Sequence, residues 1–282
     1  MNKGKDYLSL TKPRTLLLHL PTVLAAVVIA SGRLPLNLTL AAVMLGGGLI
    51  AASATTLNCY FDRDLDAVMP RTKNRPLPSG RLKATQALLF GIFMGAVGCL
   101  ALAEFSGIIT AGVALTGFFF YVVVYTLWLK RKTYWSSIIG SLAGAVPPVV
   151  GWVAVTNSIS PIPLLIGAVI ALWTPPHFWA LAMYRKREYQ SSGVLALPSQ
   201  NVRAWLLTFS SLLTVVSLSL GWFGQLGILY YSVATVAGSV LIFLVIRGTK
   251  TNAAKEQSFL FAYSIAYLVL IFTAAAIGRL IN

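Results

Sequence analysis

Acidic residues are scarce in this chain: 282 residues hold seven Asp and Glu against 22 Lys and Arg, and charged residues make up only 10%. A water-facing surface needs roughly a quarter of charged residues, so a soluble globular fold is excluded. Cysteine is limited to Cys59 and Cys99, and histidine to His19 and His177. That inventory rules out a disulfide framework and a paired Cys/His metal site, and both cysteines read as packing residues. No Gly-rich Walker loop and no dinucleotide fingerprint is present, which leaves nucleotide hydrolysis without support. Residues Met1 to Arg14 are polar and carry Asp6, with no short apolar core and small-residue cleavage site, so no cleavable signal is expected.

What the chain has in abundance is apolar residues, 57% of the total. They fall in runs of about 17 to 24, the length a helix needs to cross a hydrocarbon core of ~30 Å. A membrane barrel would show weaker segments of about ten alternating residues. Nine spans are predicted, at 15–32, 38–57, 84–103, 107–129, 136–156, 160–183, 204–223, 227–246 and 258–280. The expected fold class is therefore all-α, a polytopic membrane helical bundle of about nine transmembrane helices forming one domain over 1–282.

Twenty of the 22 basic residues fall on one side of these spans, in the N-terminal segment and the loops after spans two, four, six and eight. Only Arg33 and Arg279 are left for the other side. Basic residues in short loops are retained in the cytoplasm, which puts the N-terminus inside and the C-terminus outside. Six of the seven acids share the basic side, Glu104 being the exception, so function is expected on that face. The positive charge by itself does not require this, because topology and anionic lipid headgroups favour a basic face on any membrane protein.

The acids are more informative. Span two ends in Asn58-Cys59-Tyr60-Phe61-Asp62-Arg63-Asp64-Leu65-Asp66. If the helix continues, Asn58, Asp62 and Asp66 recur every four residues and form one stripe with steps of about 6 Å, with Asp64 on the opposite side. An amide and two carboxylates at that spacing suit Mg²⁺, which prefers one or two carboxylates plus waters and phosphate oxygens. The plainer reading is that they are solvated helix-end acids neutralised by Arg63 and Arg71. Against it, ionisable residues clustered at a bundle-facing helix end are functional by default. The next loop, from Met69 to Gly80, is basic and turn-rich, with Pro70, Pro76 and Pro78 restricting its path. Metal site and cations together match what a diphosphate leaving group needs.

The string Asn58-x-x-x-Asp62-x-x-x-Asp66, followed by Arg71-Thr72-x-x-Arg75-Pro76-Leu77, resembles the metal motif and loop of the UbiA-type intramembrane prenyltransferases. Three further strings are similar to the haem-farnesylating branch of that family. They are Leu10-Thr11-Lys12-Pro13-Arg14, then Tyr125-Thr126-x-x-Leu129-Lys130-Arg131 leading to Gly144–Trp152, and Trp173-Thr174-Pro175-Pro176-His177-Phe178-Trp179-Ala180-Leu181. The resemblance covers residues 8 to about 198. It implies Mg²⁺-assisted ionisation of farnesyl diphosphate and addition of the allylic cation to a vinyl group of haem B. Asn58, Asp62, Asp66 and Glu188 would be metal ligands, with Asp62, Asp66 and Lys130 catalytic. Arg14, Arg71, Arg75, Arg131 and Lys186 would bind substrate. The resemblance further implies a multi-pass protein of the cell inner membrane, lipids as surroundings, and contact with haem A synthase or terminal-oxidase assembly proteins; no nucleic acid is expected.

His177 follows two prolines in span six. Its imidazole is either a haem contact, as the resemblance implies, or a satisfied interhelical hydrogen bond. His19 lacks such a context and reads as packing. Where the resembled branch has Lys-Asp-Asp-Tyr, this chain has Lys186-Arg187-Glu188-Tyr189, with Ser136 and Leu195-Ala196-Leu197-Pro198 as further departures. They leave two roles for Arg187, silent or touching the diphosphate, and leave open a related prenyltransferase or terpene cyclase with another acceptor. An anion transporter is disfavoured because such a protein needs polar or unwound segments near the bilayer midplane, and these spans are nearly free of charge.

Overall fold

The computed structural model describes residues 3–35, 37–130, 132–133, 135–191, 196–198, 200–251 and 253–282, without the side chains of Ser137, Glu188 and Ser191. Among these residues the secondary structure is helical, with no strand. A short amphipathic helix α1 (Lys3–Leu10) precedes the first span, α2 (Pro13–Ser31). Span two is α3 (Leu38–Phe61), extended by the short α4 (Arg63–Val68). Then come α5 (Ala84–Ser106), α6 (Ile108–Leu129), α7 (Ser136–Thr156) and α8 (Pro161–Tyr184). The short α9 (Lys186–Ser191) leads to α10 (Val202–Gly224), α11 (Gly227–Thr251) and α12 (Ala254–Ile281).

Nine of these helices are long and apolar enough to cross a membrane, and this is an integral membrane protein. Each of the nine predicted spans has its helix. Several helices run further at the basic end than the apolar run does: α3 reaches Phe61, α11 reaches Thr251 and α12 begins at Ala254. The physical reason is that an apolar run reports only the part inside hydrocarbon, while backbone hydrogen bonding continues into polar sequence.

The outward faces carry large apolar side chains that a soluble protein would bury. Ile228 is 82% exposed, Ile108 76% and Trp222 75%, as suits contact with lipid. Inward faces use small residues where backbones approach closely. Gly91, Gly95 and Gly98 of α5 line up against α3, and a Cβ on Gly98 would lie 2.6 Å from the Gly46 carbonyl oxygen. The Ser53 hydroxyl donates to the Gly91 carbonyl at 2.6 Å, closing the same seam with a polar contact.

Among the described residues four apolar clusters hold the bundle; two small ones flank the end of α3, around Cys59 with Leu10 and around Leu57 with Val122, and the other two are larger. The largest joins α2, α7, α8, α10, α11 and α12 around Trp179, Leu213, Tyr230 and Tyr267. Its two buried tyrosines are paired: Tyr230 donates to the Ser217 carbonyl at 2.7 Å, and the Ser217 and Tyr267 hydroxyls share a hydrogen bond of 2.9 Å. The second largest joins α2, α3, α5, α6 and α7 through Val23, Val43, Ile50, Leu102, Ala111, Ala114 and Val150. Helical regularity is broken beside it. π-Helical turns occupy Val43–Gly47 and Phe120–Leu129, and Pro21, Pro147, Pro148, Pro175 and Pro176 lie inside α2, α7 and α8.

Because the chain crosses nine times, α1 and the loops after α3, α6, α8 and α11 collect at one end. Ion pairs tie that end together, Arg81 to Asp6 at 3.0 Å and Arg247 to Glu256 at 2.9 Å.

Candidate active site

Asp62 lies between α3 and α4 with φ −92° and ψ 4°, yet helical hydrogen bonding passes through it. Its N–H donates to the Asn58 carbonyl at 2.9 Å, and the Asp66 N–H donates to the Asp62 carbonyl at 2.7 Å. The stripe expected from the four-residue spacing is therefore present. Asn58, Asp62 and Asp66 are 3%, 1% and 5% exposed, whereas Asp64 is exposed on the other side.

Each member of the stripe is matched to a different cation. Lys12 Nζ donates to Asn58 Oδ1 at 2.6 Å, Lys130 Nζ forms a short salt bridge with Asp62 Oδ2, and Arg75 Nη1 meets Asp66 Oδ2 at 2.7 Å. The stripe is also bonded internally, with Asn58 Nδ2 donating to Asp62 Oδ2 at 2.7 Å. The loop is held to it through the Thr72 hydroxyl, which donates to the Asp66 carbonyl at 2.9 Å.

Lys130 reaches Asp62 because of how α6 ends. Its last turns are π-helical, with the Lys130 N–H donating to Tyr125 O at 2.9 Å, five residues back. Such widened turns re-aim side chains and recur at functional sites. Thr126 of the same segment accepts from Asn58 Nδ2 at 3.1 Å, so two helices share the site. Burial pulls the Lys130 ammonium down, but Tyr125 and Asp62 outweigh it and hold its pKa above that of an ordinary lysine.

Lys12 is the residue that sequence reading missed, having favoured Arg14. It sits between α1 and α2 in the left-handed region, at φ 49° and ψ 59°. Pro13 disfavours a right-handed helical conformation for the residue before it, so the chain turns here and Lys12 projects inward. A left-handed L-residue costs about 1–2 kcal/mol, a strain typical of sites where a side chain must be aimed. Burial, followed by repulsion from Arg75 and Lys130, lowers the Lys12 pKa. The sequence signal was the Lys-Pro pair, but it does not say which of two neighbouring cations turns in.

Beside the stripe a cavity of about 300 Å³ opens between α2, α3, α6, α7 and α8. Thr15, His19 and Val23 line one wall, Ala54 and Thr55 another, with Phe118, Tyr121, Val146, Pro147 and Trp173 around them. Thr55 is one helical turn from Asn58, and Thr15 is three residues from Lys12. Tyr121 of the wall accepts through its carbonyl from Thr126, the partner of Asn58, so the polar stripe adjoins the apolar chamber.

The other expected site residues are placed differently. Arg14 and Arg71 are exposed. Arg131 and the Glu188 side chain lie outside the described residues. Lys186 and Arg187 line a separate open hollow of about 930 Å³ with Arg185, Leu197, Val202 and Gln257. His177 shares a 2.8 Å hydrogen bond with the Ser264 hydroxyl and is stacked between Trp173 and Phe261, at 4.3 and 4.8 Å. It thus stands behind Trp173, while His19 reaches the chamber wall itself.

No group of three His, Cys, Asp or Glu able to hold a metal exists among the described residues. A complete protein cage is not what the stripe offers. Its hard oxygen donors, one amide bonded to the Asp62 carboxylate and a second carboxylate one helical turn further on, fit a Mg²⁺ that takes its remaining ligands from phosphate and water.

Comparison with known proteins shows the family and the fold. A protoheme IX farnesyltransferase of Symbiobacterium thermophilum is 42% identical over 278 residues, covering 96% of this chain and 92% of that protein. One from Roseiflexus castenholzii is 39% identical over 280 residues, covering 98% of this chain; the chain spans about half the length of that relative, 52%. Among solved structures, a digeranylgeranylglyceryl phosphate synthase superposes with a TM-score of 0.83 at 18% identity over all of both chains. A UbiA homolog from Archaeoglobus fulgidus bound to DMAPP and Mg²⁺ gives 0.64 at 15% identity, covering 95% of this chain and 99% of that one. These two likenesses establish the fold. Residues 19–271 match the UbiA prenyltransferase family, and the chain belongs to it.

Proposed function

We propose that the protein transfers the farnesyl group of farnesyl diphosphate to a vinyl carbon of haem B, with Mg²⁺ required. One observation carries the reading: a buried Asn58–Asp62–Asp66 stripe, met by Lys12, Lys130 and Arg75, adjoins an apolar chamber. That juxtaposition suits a molecule with a diphosphate head and an isoprenoid tail. Haem as acceptor is supported by the relatives being protoheme IX farnesyltransferases.

Asn58, Asp62 and Asp66 would hold the metal, which supplies positive charge to weaken the bond between the allylic carbon and the diphosphate oxygen. Lys12, Lys130 and Arg75 neutralise the departing diphosphate from three sides, Arg75 through a forked contact and the lysines as point charges. The chamber wall excludes water from the allylic cation until the vinyl group adds to it. Water then adds to the new carbocation and loses a proton, giving a hydroxyl group beside the new carbon–carbon bond. The basic end of the bundle would face the cytoplasm, placing the N-terminus inside.

The test is incubation of purified protein with Mg²⁺, farnesyl diphosphate and haem B, followed by mass spectrometry of the porphyrin. Gain of one farnesyl group and one hydroxyl group supports the reading. Unaltered haem alongside consumed farnesyl diphosphate would assign the enzyme to another acceptor or to cyclisation.

A further inference from the structure

We infer that Lys12, Lys130 and Arg75 act as placeholders on the metal-ligating side chains, so that Mg²⁺ enters the site only together with the diphosphate. The inference rests on the prenyl-diphosphate reading above.

All three candidate ligands are already engaged by the protein's own cations. Asn58 Oδ1 accepts from Lys12 at 2.6 Å, Asp66 Oδ2 pairs with Arg75 at 2.7 Å, and Asp62 Oδ2 pairs with Lys130. Among the described residues, three cations thus face two carboxylates and one neutral amide, an excess of one positive charge. A divalent ion arriving alone would raise that excess and displace the ammonium and guanidinium groups from their partners. The cost is large in a buried site, because like charges at contact distance repel strongly where water is excluded. A prenyl diphosphate carries about three negative charges near neutral pH, so one Mg²⁺ and one diphosphate together cancel the excess.

The diphosphate also gives each displaced cation a new partner. Lys12 and Lys130 have flexible four-carbon stems with three donors each, and Arg75 has a fork that fits two phosphate oxygens. Their backbones need not move: Lys12 is set by the left-handed turn before Pro13, and Lys130 by the π-helical end of α6. Only the side chains transfer from ligand oxygen to phosphate. Lys12 is thereby a positioning residue for both substrate and metal, the one member of the trio engaging the neutral amide.

Binding linkage makes this measurable, since the factor by which diphosphate tightens the metal equals the factor by which the metal tightens diphosphate. Removing the Lys12 charge should move two affinities in opposite directions. The metal alone should bind more tightly, because Asn58 is released and the charge excess falls. Farnesyl diphosphate should bind less tightly, because one phosphate partner is lost. A purely structural role would weaken both.

The experiment uses the full chain in lipid nanodiscs with no acceptor present. Mn²⁺ uptake without diphosphate is followed by electron paramagnetic resonance, and tritiated farnesyl diphosphate binding is measured with and without Mg²⁺. Wild type is compared with Lys12→Gln, which keeps a hydrogen bond to Asn58, and Lys12→Met, which does not. In wild type, saturating Mg²⁺ should tighten farnesyl diphosphate about tenfold or more, within the usual span of coupling between sites. Both variants should take up Mn²⁺ alone several-fold more tightly, and their gain from Mg²⁺ should shrink. If wild type binds no farnesyl diphosphate at all, the prenyl-diphosphate reading falls and this inference with it. If it binds, but Lys12→Gln and Lys12→Met take up Mn²⁺ no more tightly than wild type, only the placeholder role is overturned.

Discussion

Thr126 and Asn58 meet across 68 residues of sequence through a single hydroxyl: Thr126 Oγ1 accepts from Asn58 Nδ2 at 3.1 Å and donates to the Tyr121 carbonyl at 2.7 Å. The π-helical end of α6 thus orients the amide of α3. Replacing the hydroxyl by a methyl in Thr126→Val removes that acceptor and leaves the amide nitrogen only its hydrogen bond to Asp62. Groups that orient metal ligands typically change affinity by about 10–100-fold when lost, so the Mg²⁺ concentration for half-maximal activity should rise by about tenfold. A Mg²⁺ titration of initial rate checks this, and an unchanged requirement would show that Asn58 needs no support from α6.

Asp62→Asn and Asp66→Asn each remove a carboxylate charge while keeping nearly the same shape. Turnover should fall by about 10³-fold in either, of the order seen when one preorganised electrostatic contact is lost. The bundle should remain folded, because its two largest apolar clusters lie elsewhere and the Asn side chain keeps the shape of the carboxylate it replaces. Full activity in either protein, with circular dichroism unchanged, would remove the stripe from the mechanism.

Close packing of α3 on α5 gives a pair of expectations with opposite signs. A Cβ at Gly98 would lie 2.6 Å from the Gly46 carbonyl oxygen and 3.0 Å from Ile50 Cγ1. Backbone must shift to admit it, so Gly98→Ala should destabilise by about 1–3 kcal/mol. Gly112 of α6 has nothing within 4 Å of the equivalent position. Gly112→Ala should therefore be neutral or stabilising by up to about 1 kcal/mol, from helix propensity alone. Thermal unfolding in one detergent compares the two directly.

His177 and Arg75 should separate acceptor from donor binding. His177→Gln can retain a hydrogen bond to Ser264 yet loses the aromatic stack on Trp173 and Phe261. It is expected to weaken haem B binding several-fold with little change in farnesyl diphosphate binding, and Arg75→Gln should do the reverse. Titration of both ligands against both variants is the measurement. Equal losses for the two ligands in each protein would mean that His177 serves only to join α8 to α12.

Much of this protein was legible before any coordinates. Nine crossings follow from run lengths, because hydrocarbon thickness divided by helical rise is a local quantity. The basic end follows from loop composition, and the Asn58–Asp62–Asp66 stripe from a spacing of four, because helical periodicity is local too. Tertiary structure alone decided which cations converge on that stripe. Lys12 turns inward and Arg14 outward because one left-handed residue before Pro13 resets the direction of the chain. Lys130 meets Asp62 because ten residues of α6 are wound in π-helical turns, whose angular offset no apolar pattern records. His19 lines the chamber while His177 stands behind Trp173, although the stronger sequence context belonged to His177. In each case the side-chain direction depends on a fraction of a helical turn and on partners 46 to 87 residues away. Such contacts are set by how helices pack, and a one-dimensional pattern carries no information about that angle.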